Sequence, residues 1–218
     1  MTEINLLKNY PTTKRNLTEA ATERTDEVRK VARKFDQNFF DGDRKYGYGG
    51  YTYNPKYWSQ VVKDFEKFYK LVDGSSILDV GCGKGFMLYD FLNLNPKFEL
   101  TGIDISQYAI QNCKEEVKSN LKVASCDNLP FDDNSFDLVI SINTIHNLDK
   151  KGCGKSLQEI NRVSKKNKFI IVDAYRNDNE KDKMFAWNLT AKTIMHVDEW
   201  IEFFEENKYD GDYYWFNP

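Results

Sequence analysis

The chain has 218 residues, 40% of them hydrophobic, and 31 basic against 34 acidic side chains leave a net charge of −3. That length fits one domain with an elaboration and buries a sizeable core, while the balanced charge offers no broad positive field to a phosphate backbone, so nucleic acid is not the expected partner. No apolar run approaches the ~20 residues of a membrane span, and the start Met1-Thr2-Glu3-Ile4-Asn5 lacks the basic and apolar parts of a signal peptide, so no membrane partner and a cytoplasmic location are expected. Cys82, Cys113, Cys126 and Cys153 show no Cys-x-x-Cys spacing, which points to reduced thiols without a zinc site or a disulfide framework.

In chain order, residues 1–25 are polar and carry no sustained period, which predicts a loose arm suited to exchange with a second subunit in a homodimer. Thr25-Asp26-Glu27-Val28 reads as a capped helix start with acids near its positive end, and Val28, Val31, Ala32 and Phe35 give that helix an apolar face. Residues 39–55 follow, a glycine and tyrosine segment too aromatic for an ordinary linker. Trp58, Val61, Val62, Phe65, Phe68 and Tyr69 then recur at helical spacing. Residues 1–71 are thus expected to form an N-terminal arm and helical cap, and residues 72–218 the main domain.

Beyond residue 72 strands and helices alternate. Strands are expected at 77–80, 99–103, around Val123, at 136–141 and at 169–173, with helices at 86–92, 107–117 and 157–163 between them. Lys165, Lys166 and Lys168 read as a solvated turn before the fifth strand. Such apolar strands, alternating with helices, predict an α/β fold: a doubly wound, mostly parallel sheet of six or seven strands with helices on both faces. Right-handed crossovers put the loops that follow the strands on one edge, and Asp79, Asp104, Asp127 and Ser141 all fall there. Toward the C-terminus a helix is expected at 199–206 and a last strand at 213–216, with 193–196 as the one candidate for a further strand.

The run Ile77-Leu78-Asp79-Val80-Gly81-Cys82-Gly83-Lys84-Gly85 breaks an apolar strand into alternating glycines, which lets backbone press against a nucleotide-like ligand. Its spacing is Gly-x-Gly-x-Gly, not the Gly-x-Gly-x-x-Gly of a dinucleotide fold. Thr101-Gly102-Ile103-Asp104-Ile105-Ser106 ends a second strand in a carboxylate about 20 positions further on, where it can accept both hydroxyls of a ribose. A third segment runs Cys126-Asp127-Asn128-Leu129-Pro130-Phe131 and leads into Phe136-Asp137-Leu138-Val139-Ile140-Ser141.

These three segments, in this order, resemble the S-adenosylmethionine-dependent class I methyltransferases over roughly residues 72–173. The resemblance implies a Rossmann-like methyltransferase domain and S-adenosyl-L-methionine as methyl donor, with S-adenosyl-L-homocysteine as product and no metal requirement. It implies that Gly81 and Gly83 pack against the methionine and ribose part, that Asp79 helps hold the amino end, and that Asp104 grips the ribose with Ile105 beside it. Asp127 would face the adenine amine, a task Asn128 or backbone could share, with Leu129 near the ring. Cys82, Gly85 and Ser141 complete the cofactor-binding set, Cys82 as a packing thiol. The family usually ends in an antiparallel strand pair, which this chain supplies only if 193–196 is a strand.

After the fourth strand, Asn143 and His146 are the candidate catalytic groups. His146 could take a proton from a hydroxyl or ammonium, or pack over the cofactor; Asn143 could bond the methionine end, the acceptor or its own loop. His196 reads as an ordinary satisfied histidine. Tyr46, Tyr48, Tyr51, Tyr53 and Trp58 could close over the site as a lid that binds the acceptor, or pack the cap onto the sheet. The expected activity is methyl transfer by in-line displacement to an amine or hydroxyl of a small molecule. Methylation of a protein side chain and a non-catalytic cofactor-binding scaffold are the rival readings.

Overall fold

Strands that are apolar on both faces must be covered on both, and that demand organises the chain. The computed structural model describes residues 1–12, 17–49 and 51–218; residues 13–16 of the expected arm and Gly50 of the aromatic segment lie outside them. Strands β1 (Ser76–Val80), β2 (Glu99–Asp104), β3 (Leu121–Val123), β4 (Phe136–Ile142), β5 (Ser164–Tyr175), β6 (Met195–His196) and β7 (Asp212–Phe216) form a seven-stranded sheet. Its order is β3-β2-β1-β4-β5-β6, with β7 also paired to β5. Among the described residues every pairing of these strands is parallel.

The helices are α1 (Leu17–Glu23), α2 (Asp26–Ala32), α3 (Gln37–Asp41), α4 (Pro55–Tyr69), α5 (Phe86–Leu94), α6 (Gln107–Gln111), α7 (Lys150–Val163), α8 (Asp178–Trp187) and α9 (Val197–Glu206). Strand residues alternate between two cores. Ile77, Leu138, Phe169 and Ile171 pack with Val61 and Phe65 of α4 and Leu88 and Phe91 of α5. Leu78, Val139, Ile170 and Val172 pack with Leu157 and Ile160 of α7 and Trp200 and Phe204 of α9. A third cluster joins Ala32, Phe39 and Phe40 of the cap to Ala109 and Leu189. No helix of the described residues is long and apolar enough to cross a membrane.

Several expectations are corrected. The fifth strand starts at Ser164, so the lysines before residue 169 do not form a solvated turn: Lys168 is buried within β5 and pairs with Asp210 at 2.6 Å, and Lys165 pairs with Asp137 at 3.1 Å. Helix α7 begins at Lys150, capped by the Asp149 carboxylate, which accepts the Gly152 N–H at 2.8 Å. Its glycines hid it, yet they are where neighbours press closest: a Cβ on Gly154 would lie 2.6 Å from Asn207 Oδ1. The helix expected over 107–117 stops at Gln111. Lys114 N–H turns back to donate to Lys84 O at 3.0 Å, and a 3₁₀ helix over Glu115–Asn120 follows. Helix α8 was not expected, because Met184 is its only buried residue and no apolar stripe marks it.

The C-terminal strands depart from the antiparallel pair that the resemblance implied. Residues Met195–His196 do form a strand, but β7 runs parallel to β5, from Phe169 opposite Asp212 to Asp173 opposite Phe216. Helix α9 carries the chain back across the sheet before β7, and a helical crossover delivers the next strand in the same direction. The described part of the N-terminal arm is not loose. Glu3 bridges Tyr213 in parallel, Ile4 N–H donates to Tyr213 O at 2.9 Å, and Tyr213 N–H donates to Thr2 O at 3.1 Å. Arg176 pairs with Glu3, and Leu6 is buried in the core beneath α4. The segment thus covers the open edge of β7, which would otherwise expose unpaired backbone groups. Leu6→Ala is expected to lower unfolding free energy in urea by about 2–5 kcal/mol, whereas an arm without a docking site would give a change under about 0.5 kcal/mol.

Candidate active site

The turn after β1 is built around positive backbone angles. Gly81 has φ +90°, and a Cβ there would lie 2.0 Å from Thr144 Oγ1, so glycine is required for the loop to pass Thr144 at the end of β4. Gly85 has φ +73°, and its Cβ would press on Val117 and Leu121 at about 3 Å, which makes it a packing position under the loop. Gly83 is the loop residue whose surroundings stay open. The Cys82 thiol is buried below the loop, against Gly102.

Asp104, at the end of β2, ties this turn down. Its Oδ2 accepts the Gly83 N–H at 2.8 Å and its Oδ1 accepts the Ser106 N–H at 2.8 Å. Burial raises the pKa of Asp104, and those two N–H groups oppose the rise. Asp79 lies buried behind it in β1, and its pKa is pushed up to about 8, first by burial and then by the charge on Asp104.

A cavity of about 1090 Å³ opens over the ends of β1, β2, β4, β5 and β7. Of the expected cofactor set, Gly81, Gly83, Asp104 and Ile105 line it; Ile105 is 57% exposed, an apolar surface beside the Asp104 carboxylate. Asp79, Cys82, Gly85 and Ser141 stand behind that wall, Ser141 donating its hydroxyl to Val80 O at 3.2 Å. On the β3 side the wall is Ala124, Ser125 and Cys126 rather than Asp127, Asn128 and Leu129. The Asp127 carboxylate accepts from the Ser125 hydroxyl, and Leu129 is buried with its N–H donating to Glu159 at 2.8 Å.

Of the expected acceptor residues, Tyr48, Tyr51 and Trp58 line the cavity. Tyr46 and Tyr53 do not. Tyr53 donates to Asp90 Oδ1 at 2.9 Å and packs on Tyr89 of α5, while Tyr46 lies under the Lys45 ammonium. Tyr48 and Tyr51 line the cavity and also pack on rings of the cap and of α8, Tyr48 on Phe39 and Trp187 and Tyr51 on Phe39 and Phe40. The cap is fastened at several points: Lys84, inside the glycine turn, donates to both Asp41 oxygens at 2.6 and 2.7 Å, and Tyr108 donates to the same carboxylate at 2.7 Å. Arg33 donates to the carbonyls of Thr190 and Ala191, and Tyr48 OH accepts from Leu189 N–H at 2.9 Å.

Asn143 and His146 both face the cavity. Asn143 sits at φ +53° and its N–H donates to Ile171 O at 3.0 Å. His146 is buried, and its Nδ1 accepts the Asp173 N–H at 2.9 Å, so the neutral ring carries its proton on Nε2. That Nε2 lies 3.7 Å from Asp173 Oδ1. Burial lowers the pKa of His146 and the Asp173 carboxylate opposes this. With Nδ1 engaged and Nε2 protonated, the ring presents a donor and no free lone pair, which corrects the general-base reading of His146. His196 instead caps α9.

Residues missed in the sequence include Asp173 at the end of β5 and Asn147, whose buried Oδ1 has no hydrogen-bond partner among the described residues. Asp173 ends an apolar strand just as Asp79 and Asp104 do, so the same edge rule identifies it once β5 is placed. Asn147 carried no comparable signal.

Residues 71–213 match the family model described as a methyltransferase domain, and the chain belongs to that family. It is 32% identical over 145 residues to a tRNA (carboxymethyluridine(34)-5-O)-methyltransferase of Arabidopsis thaliana, covering 66% of this chain and 34% of that one. It is 30% identical over 130 residues to a malonyl-[acyl-carrier protein] O-methyltransferase of Legionella pneumophila, covering 58% of this chain and 45% of that one. The chain thus spans about a third to a half of the length of these curated relatives. The crystal structure of YcgJ from Bacillus subtilis shares the fold with a TM-score of 0.52 at 20% identity, covering 66% of this chain and 65% of the other. Residues 71–213 therefore form a methyltransferase domain.

The Asp79 proton has a consequence for stability. Between the ordinary Asp value near 4 and about 8, the folded chain holds a proton that the unfolded chain has released. Unfolding then liberates a proton, so stability falls as pH climbs through that window and levels off above it. Asp79→Asn, which mimics the neutral acid, is expected to flatten this decline between pH 5 and pH 8 in urea unfolding. An unchanged slope would show that Asp79 is ionised throughout.

Proposed function

We propose that the chain methylates an amine or hydroxyl of a small molecule with S-adenosylmethionine. The observation that carries this reading is the roof of the cavity. Tyr48, Tyr51 and Trp58 from the cap and Tyr10 from the N-terminal segment stand over the strand ends, and Lys84 holds the cap to the glycine turn. A roof of rings suits an acceptor small enough to be enclosed, and a side chain presented by a folded protein needs an open groove. The relatives' acceptors, a tRNA and a carrier-bound malonyl group by name, leave the acceptor to be argued from this chain's own residues.

The residues present suit the donor. Each Asp104 oxygen accepts one backbone N–H and keeps capacity for a further hydrogen bond, which a vicinal diol would use; Ile105 offers an apolar bed for an adenine ring. When bound, the donor supplies a methyl group activated by a sulfonium. The chain then has to orient the acceptor in line and exclude water, and orientation alone can be worth about 7–11 kcal/mol of barrier. The cap and the N-terminal segment do both. We assign Asn143, at the end of β4, to the border between donor and acceptor.

S-adenosylhomocysteine at a hundredfold excess over its Kd should raise Tm by roughly 5–10 °C, and Asp104→Ala should abolish the shift. No shift with the unaltered chain would overturn the donor assignment. Tight binding without turnover of any amine, alcohol or phenol would favour the scaffold reading.

A further inference from the structure

We infer that the acceptor atom is a hydroxyl oxygen, held between His146 Nε2–H and the Asp173 carboxylate, with Asp173 receiving its proton. This rests on the methyltransferase reading above and narrows its acceptor class. The argument begins with the ring of His146. Because Nδ1 accepts the Asp173 N–H, Nε2 is fixed as a donor, and it stands 3.7 Å from Asp173 Oδ1. Both side chains are buried from bulk solvent and line the same cavity.

A donor and an acceptor at that separation bracket one polar atom at ordinary hydrogen-bond distance, about 2.8 Å, from each. The atom must accept from the imidazole and donate to the carboxylate. An ammonium cannot accept. A neutral amine can, but its only lone pair would then be spent on His146 and none would remain to attack carbon. A hydroxyl oxygen has two lone pairs, so one can accept from Nε2–H while the other points along the line of displacement.

The step balances. The oxygen–carbon bond forms from that second lone pair and the methyl–sulfur bond breaks, its electron pair staying on sulfur. The O–H bond breaks and its proton passes to Asp173, leaving an ether, a neutral sulfide and a protonated carboxyl. His146 acts as a positioning residue. Its carbonyl also accepts from Lys192 N–H at 2.9 Å and Thr193 N–H at 3.0 Å, so the ring is anchored from both the backbone and Nδ1.

The test uses the full chain with S-adenosylmethionine and a panel of small phenols and alcohols paired with the amines of the same carbon frame. Methyl should pass to hydroxyl members and not to their amine partners. Asp173→Asn should keep the Tm shift given by S-adenosylhomocysteine yet lose at least about 100-fold in kcat, the lower range of general-base contributions. With S-adenosylhomocysteine bound, ¹⁵N spectra should report His146 protonated on Nε2, and that N–H resonance should move when the active phenol or alcohol is added. Transfer to amines only, transfer to no hydroxyl, Asp173→Asn within tenfold of the unaltered chain, or a ring protonated on Nδ1 would each overturn the inference. Failure of S-adenosylhomocysteine to bind would instead overturn the reading beneath it.

Discussion

The Asp104 carboxylate is the junction on which the site is assembled. One oxygen holds the glycine turn after β1 through Gly83 N–H, and the other holds the start of the next helix through Ser106 N–H. Ser106 in turn donates its hydroxyl to the Phe35 carbonyl of the cap, and Lys84, from the same glycine turn, grips Asp41. Two strand ends and the cap thus share one buried anion. Next door, Asp79 keeps its proton to a pH of about 8, first because it is itself buried and then because a second charge would stand against that of Asp104. Two acidic side chains thus stand where the core would otherwise be apolar, a local break in core patterning of the kind found at functional sites.

The parallel sheet and the glycine turn were legible because both rest on local signals: apolar runs of strand length, and glycines at positions that need positive φ. What was not legible depends on contacts far apart in sequence. Glu3 and Leu6 sit in a polar stretch without period, and they find order on distant parts of the chain, Glu3 against Tyr213 on the β7 edge and Leu6 in the core beneath α4. Gly152 and Gly154 look like helix breakers, yet α7 needs them where Leu148 and Asn207 press against it. Lys165 and Lys166 are exposed as the sequence suggested, but Lys168 reads as solvent-facing until its burial in β5 against Asp210 is seen.

The candidate site was legible to the same depth. Asp104, Ile105, Gly81 and Gly83 come to the cavity as the motif spacing implied, because strand-end loops of a parallel sheet share one edge. The adenine side was harder. Ser125 and Cys126 reach the wall where Asp127 and Leu129 were expected, since the direction of each side chain after β3 is set by the turn and not by spacing. Histidine 146 could be placed from the sequence but not given a role. Its tautomer is decided by the backbone N–H of Asp173, a partner 27 residues away.

The direction of β7 decides what the far half of the cavity is made of. Running parallel to β5, it brings Tyr214 and Phe216 to the edge that carries Asp104, His146 and Asp173, and leaves Asp212 at the opposite end, where it accepts from Tyr69 OH at 3.1 Å. An antiparallel β7 would reverse this and set the Asp212 carboxylate among the rings. The described N-terminal segment then completes the wall from outside β7, with Tyr10 edge-on to Trp58 at 4.9 Å. That half of the cavity is therefore lined by Tyr10, Trp58, Tyr214 and Phe216 together with Asp173 and His146. The parallel direction of β7 and the docked N-terminal segment, where an antiparallel pair and a loose arm were expected, are what bring those rings to the cavity wall.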